Sequence, residues 1–144
     1  MTYLDTSSLI ALYYPEDKTD RLTSYLFDHP SPLLFTWLHE MEFTNGLQLK
    51  LFRKEATATL VAATLTDLHA DVQSGVLHQM PLANAVFFAT ALRLSTTHSP
   101  SIGTRTLDLL HIAAALTLQA TAFITNDDRQ AQAATAEGLK VVRV

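Results

Sequence analysis

Short apolar runs bounded by polar breakers alternate along the chain with longer stretches of helical spacing. Tyr3-Leu4 stops at Asp5-Thr6-Ser7-Ser8, a cluster suited to capping a helix over Leu9-Ile10-Ala11-Leu12. Pro15-Glu16-Asp17 opens a second helix, about 17–28, closed by His29-Pro30-Ser31-Pro32. Leu33-Leu34-Phe35-Thr36 is apolar and flanked by breakers, which predicts a buried strand. Residues 37–54 and 56–72 predict two long helices, the second rich in Ala and Leu, with Asp67 and Asp71 four apart on one face. Val76-Leu77-His78 predicts a short extended piece, and Pro81 a helix start that carries to about His98. Ser99-Pro100-Ser101-Ile102-Gly103 predicts a loop. Thr104 to Gln119 is helical and apolar nearly all round, so burial on more than one side is expected. Ala122-Phe123-Ile124-Thr125 predicts a strand, Asp127 to Glu137 a helix stopped by Gly138, and Leu139-Lys140-Val141-Val142 a last strand.

Short apolar strands alternating with helices predict an α/β domain with a parallel sheet covered on both faces. Functional groups in such sheets collect beyond the carboxyl ends of the strands, near the point where strand order reverses. Asp5 ends the first strand and Asp127 follows the strand ending at Thr125, so these distant acids are candidates to meet. With 144 residues, 48% hydrophobic and 17% charged, the expectation is one globular domain over 1–144 without repeats or linkers. The absence of cysteine excludes disulfides and thiolate metal sites, and makes a reducing compartment, the cytoplasm, the simplest home. No segment approaches the ~20 uninterrupted apolar residues of a membrane span, and the N-terminus shows no basic region followed by an apolar run. The net charge of −4 changes the picture in one respect. A protein that binds nucleic acid by charge alone should be basic, so such a role here needs a cation or a local basic rim.

The candidate chemistry lies in the acids. Asp108 is the sole carboxylate between residues 72 and 126, among leucines that promise it little solvent. A buried unpaired carboxylate is costly and is usually protonated, paired or bound to a metal. Each acid also has a plainer explanation. Asp5 and Asp127 stand where helices begin and could be N-caps, and Asp108 could pair with Arg105 one turn earlier. Glu40 and Glu42 differ by ~200° around a helix, so at most one points inward, and periodicity does not decide which. Taken jointly, carboxylates converging on one cleft repel one another until cations or protons intervene. An all-oxygen site suits hard ions such as Mg²⁺ or Mn²⁺, singly or as a pair, and points to phosphodiester hydrolysis.

Four segments carry a resemblance. Tyr3-Leu4-Asp5-Thr6-Ser7-Ser8-Leu9-Ile10-Ala11-Leu12, Glu42-Phe43-Thr44-Asn45-Gly46-Leu47, Asp108-Leu109-Leu110-His111-Ile112-Ala113-Ala114-Ala115-Leu116 and Phe123-Ile124-Thr125-Asn126-Asp127-Asp128-Arg129-Gln130, the last running into Gly138-Leu139, occur in order over nearly the whole chain. Together they resemble the PIN domain, and more narrowly the VapC-type toxin ribonucleases of bacterial toxin–antitoxin pairs. The resemblance selects Glu42 over Glu40. It implies a three-layer α/β/α sandwich around a five-stranded parallel sheet, a Mg²⁺- or Mn²⁺-dependent ribonuclease acting on RNA, inhibition by an antitoxin protein, and a homodimer. Asp5, Glu42, Asp108 and Asp127 would form the catalytic, metal-holding set, supported by Ser7 and Thr125.

Around that set stand further candidates. Asp128 could share or compete for the role of Asp127, and Asn45, one turn after Glu42, could orient the metal's surroundings. Arg105 and Arg129 adjoin the acidic motifs and are the expected phosphate contacts, ahead of Lys50, Arg53 and Lys54, which read as a solvated helix end. His111, one turn after Asp108, could touch substrate, though a histidine on an apolar helix is more often a packing residue. His39 and Glu42 share a helix face, but no second such pair makes a zinc hydrolase. The glycines at 46, 75, 103 and 138 are isolated and form no phosphate loop, and Ser7 and Ser8 have no local base to make a nucleophile. Two other classes stay open: a noncatalytic PIN-like module that binds RNA or protein, and a phospho-acceptor regulator. The latter needs paired acids near the start and a lysine on a late strand, where Asp5 stands alone and Lys140 is insufficient.

Overall fold

The computed structural model describes residues 1–14 and 19–144. Strand β1 (Thr2–Leu4) leads into helix α1 (Thr6–Tyr13), followed by α2 (Thr19–Asp28), β2 (Leu33–Phe35), α3 (Trp37–Phe52), α4 (Ala58–Ser74) and β3 (Leu77–Gln79). Then come α5 (Asn84–Ile102), α6 (Thr106–Thr117), β4 (Ala122–Ile124), α7 (Asp128–Ala136) and β5 (Val141–Val142). The expected opening of the second helix at Pro15-Glu16-Asp17 lies outside the described residues.

The five strands form one sheet in the order β3-β2-β1-β4-β5, and every neighbouring pair is parallel. The two-residue period of the strands splits the core into two layers. Tyr3, Leu34 and Phe123 point to one face, where Phe87, Leu94, Ile112 and Ala133 of α5, α6 and α7 cover them. Leu4, Phe35 and Ile124 point to the other, against Leu9, Leu22, Phe43, Val61 and Leu68 of α1 to α4. The result is the expected three-layer sandwich. Burying each such large side chain contributes about 1.5–3 kcal/mol, so both faces are well anchored. Gly46 lets α3 approach α1, since a Cβ there would come within 2.8 Å of Ile10 Cδ1.

One expected loop is helical. Ser99 to Ile102 form the last turn of α5, which ends at Gly103 in the left-handed conformation (φ 70°), its N–H bonded to Ser99 O at 3.0 Å. Pro100 forgoes one backbone bond there, but burial continues at helical spacing through Phe87, Ala91, Leu94 and His98. Tertiary packing thus carries the helix through a local breaker. At the other end of the domain, the last strand shortens to two residues. No helix among the described residues is long and apolar enough to cross a membrane.

The strand order also fixes where the site can be. The chain winds from β1 outward through β2 to β3, then crosses back to place β4 on the opposite side of β1. The reversal point is therefore the crevice beyond the carboxyl ends of β1 and β4, paired Leu4 to Ile124.

Candidate active site

Asp5 and Thr125 are the first residues past those two strands, and both are buried. The Asp5 N–H donates to Ile124 O at 2.9 Å, holding the strand ends together. Asp5 is the N-cap of α1: its Oδ1 accepts from Ser8 N–H at 2.7 Å and from the Ser7 hydroxyl at 3.0 Å. Its Oδ2 accepts from the Thr125 hydroxyl at 2.7 Å. Thr125 Oγ1 in turn accepts the Asp127 N–H at 3.1 Å, and Asp127 caps α7 by taking Gln130 N–H at 2.8 Å. Both acids are therefore caps, and both also line one cleft of about 180 Å³ with Thr6, Ser7, Glu42, Arg105, Asp108, His111 and Gln130. Capping a helix and lining the cleft are thus compatible for each of them.

Glu42 turns inward from the second turn of α3, while Glu40 lies at the surface near His69, 3.8 Å away. Glu42 Oε2 accepts from the Thr6 hydroxyl at 2.7 Å and from His111 Nε2. His111 Nδ1 meets the Tyr3 hydroxyl at 2.9 Å, so a polar chain runs from β1 through α6 to α3. Burial raises the Glu42 carboxyl, but the hydrogen bond and charge of His111, with the Thr6 hydroxyl, outweigh it and the net shift is downward. His111 is thus both a packing residue and a wall of the cleft. His39, by contrast, is an interior strut. Its Nδ1 accepts Thr36 N–H at 3.1 Å, which leaves Nε2 to donate to Leu4 O at 2.8 Å. Burial, then the neighbouring His111, lower it to about 3, so it is neutral.

Asp108 sits in the first turn of α6, where the solvent is closer than its leucine neighbours suggest. Leu107 is 42% exposed, and the apolar girdle begins only at Leu109. Asp108 Oδ2 accepts Arg105 N–H at 3.3 Å, and Arg105 Nε lies 4.0 Å away. The Arg105 guanidinium reaches Asp127 Oδ2 at 4.0 Å as well. Burial raises the Asp108 carboxyl, the Arg105 amide opposes this, and the Asp127 charge adds to it, with a net upward shift. The expected Arg105 pairing exists, yet it is long and does not offset the cost.

The remaining candidates fall outside the cleft. Asp128 faces Arg143 at 2.6 Å on the surface, and Arg129 donates to Gly103 O at 3.2 Å. Asn45 lines a neighbouring groove of about 580 Å³ with Ile10, Met41, Leu49 and Leu107, which shares Thr6, Ser7 and Glu42 with the cleft. Lys50 Nζ lies over the Tyr14 ring at 4.6 Å and Arg53 caps α3, away from the acids. Thr6, His111 and Gln130 complete the cleft. Thr6 and Gln130 stand inside the acidic motifs, but no spacing signal set them apart from their polar neighbours.

Three helix N-termini, those of α1, α6 and α7, open at this crevice, and their dipoles favour anions there. Among the described residues no three His, Asp or Glu side chains stand close enough to grip an ion directly. The donor set is nonetheless all carboxylate on its acidic side, and the cleft is several times the ~30 Å³ of a water molecule. That suits a hard cation such as Mg²⁺, which sheds water reluctantly and is commonly held through one or two carboxylates.

The PIN domain profile matches residues 2–136. The chain belongs to the PIN domain family. Two solved structures share this PIN fold. FitAcB from Neisseria gonorrhoeae aligns with a TM-score of 0.66 and 16% identity over 98% of this chain and 96% of that one. VapBC2 from Rickettsia felis, bound to a DNA fragment from their promoter, aligns with a TM-score of 0.67 and 15% identity over 100% and 99%. At such identities the likeness is one of fold. Comparison with curated proteins gave no match.

Proposed function

We propose that this PIN domain, acting as one unit over its 144 residues, is a Mg²⁺- or Mn²⁺-dependent endoribonuclease. The observation that carries the reading is that Asp5, Glu42, Asp108 and Asp127, from four distant segments, line one cleft at the strand-order reversal. PIN domains are generally nucleases, which supports the reaction class. The four carboxylates would hold the cation. When bound, such an ion polarises a phosphoryl oxygen and lowers the pKa of water. The chain's own part is to place and prepare. Ser7, Ser8 and Thr125 fix the Asp5 carboxylate, while Thr6 and His111 fix that of Glu42 and hold it ionised. Arg105, exposed at the mouth between Asp108 and Asp127, offers its guanidinium to an entering phosphate, and the three helix N-termini add to that field.

The same reading makes the protein the toxin of a cytoplasmic toxin–antitoxin pair, as the likeness to the FitAcB and VapBC2 structures supports. The apolar groove continuous with the cleft is suited to an antitoxin segment, and Val86, Phe88 and Leu92, exposed along α5, to a homodimer contact. The test is Asp5→Asn and Asp108→Asn in purified protein. Each is expected to abolish metal-dependent RNA cleavage, and full retention by both would refute the proposal. That no three ligands converge directly among the described residues favours one competitor, a noncatalytic PIN-like binding module. Calorimetry showing no uptake of Mn²⁺ would decide for it.

A further inference from the structure

Gln130 is 2% exposed, yet it packs beside Ala131, Ala133 and Ala134, where a small or apolar side chain would serve burial better. Its Nε2 donates to the main-chain carbonyl of Asp108 at 3.3 Å, bridging α7 to α6. That bond sets the orientation of the amide, because a half-turn would bring two acceptors face to face. Oε1 is then an acceptor, and it is buried without a hydrogen-bond partner among the described residues. The other unpartnered buried atoms, Ser8 Oγ, Thr104 Oγ1 and Thr117 Oγ1, are rotatable hydroxyls on residues that do not line the cleft. Gln130 does line it, alongside the four carboxylates. An unpaired buried carbonyl forfeits the hydrogen bond it had in water, so a lasting one at a ligand cleft calls for a donor that arrives with the ligand.

We propose that Gln130 is a positioning residue for the cation, its Oε1 accepting a hydrogen bond from a water in the ion's hydration shell. The inference rests on the metal-dependent reading above. A neutral amide suits the place: it adds an acceptor without adding a fifth negative charge to four that already repel. It also ties the ion to the protein frame, since the same residue gives its N–H to Asp127 and its Nε2 to the Asp108 backbone.

The test uses the full chain, with Mn²⁺ as the probe, by calorimetric titration and by thermal unfolding with and without the metal. Gln130→Met removes the unpaired oxygen at similar volume. It also removes the 3.3 Å Nε2 bond to the Asp108 carbonyl, which offsets the relief of the unpaired oxygen. It is therefore expected to unfold without metal close to the wild-type temperature and to bind Mn²⁺ about tenfold more weakly. Gln130→Glu keeps an oxygen acceptor and is expected to bind Mn²⁺ at least as tightly as wild type. A merely structural glutamine would give the opposite pattern, a metal-free Gln130→Met that is less stable with unchanged affinity, and that overturns the proposal while leaving the nuclease reading intact. If Gln130→Met does not fold, a tenfold loss in Gln130→Glu overturns it equally. Wild-type protein that takes up no Mn²⁺ would remove the underlying reading, and this inference with it.

Discussion

Replacing His111 with leucine tests the polar chain behind Glu42. The His111 side chain is 3% exposed and that of Glu42 19%, so their interaction is largely shielded from water. The substitution removes a bond to an ionised partner, worth about 1.5–3 kcal/mol, and the 2.9 Å bond to the Tyr3 hydroxyl, worth about 0.5–1.5 kcal/mol. Leucine returns part of this through apolar burial, so the expected loss at pH 7 is about 3 kcal/mol. For a domain of this size that lowers the unfolding midpoint by roughly 6–12 °C. The pH dependence carries the sharper test. In wild type the Glu42 carboxyl lies below its ordinary 4.5, so its stabilisation is present above 4.5 and is lost as pH falls through the folded value. In His111→Leu the two largest lowering influences are gone and burial dominates, raising the folded value above the unfolded one. Glu42 then opposes folding at neutral pH, and protonation relieves it. The stability gap between the two proteins should therefore narrow as pH falls from 7 toward 4, as measured by urea unfolding at each pH. A gap below 1 kcal/mol at pH 7, or one constant with pH, refutes the account of how Glu42 is held.

Glu137→Gln breaks a partly buried clasp in which Arg93 binds the carboxylate at 2.5 and 3.0 Å and His98 at 2.7 Å. The Arg93 hydrogen bond, against burial and with help from His98, lowers the Glu137 carboxyl. Arg93 is 52% exposed, so the loss is screened to about 1 kcal/mol at pH 7. It should vanish in acid as pH falls from 4.5 through the lowered value, which urea unfolding at pH 7 and pH 3 would show. At Gly46, alanine should be close to neutral in thermal unfolding, because about 1 kcal/mol of helix propensity offsets the shift forced on the flexible end of Ile10. Gly46→Val should instead cost roughly 1–3 kcal/mol, as α1 and α3 are pushed apart.

Much of this architecture was legible in the chain. Alternation of Tyr3 and Leu4, or Phe123 and Ile124, already contains the two-faced sheet, and Asp5 and Asp127 stand where strands hand over to helices. What local pattern could not supply was tertiary. Ser99-Pro100-Ser101 reads as a breaker, yet the packing of Leu94 and His98 keeps the helix going. Glu40 and Glu42 look alike by periodicity, and only the family resemblance separated them before the fold did. Asp108 was singled out for isolation among leucines, although Leu107 proves half-open to solvent. The partnership of His111 with Glu42, 69 residues earlier, left no local trace. Gln130 carries no local signal, since a glutamine near a helix start is ordinarily a surface residue.

The pairing of β1 with β4 has a consequence in time. Asp5, just past β1, is made long before Ala122–Ile124, the strand beside β1 in the sheet, and the Asp5–Thr125 bond spans 120 positions. A ribosome must release every residue from Asp5 to Thr125 before that bond can form. Until then Asp5 lacks Thr125, and the cleft lacks Asp127. The cleft is among the last features of the domain that the nascent chain can complete, so any activity housed there waits until Asp127 has emerged.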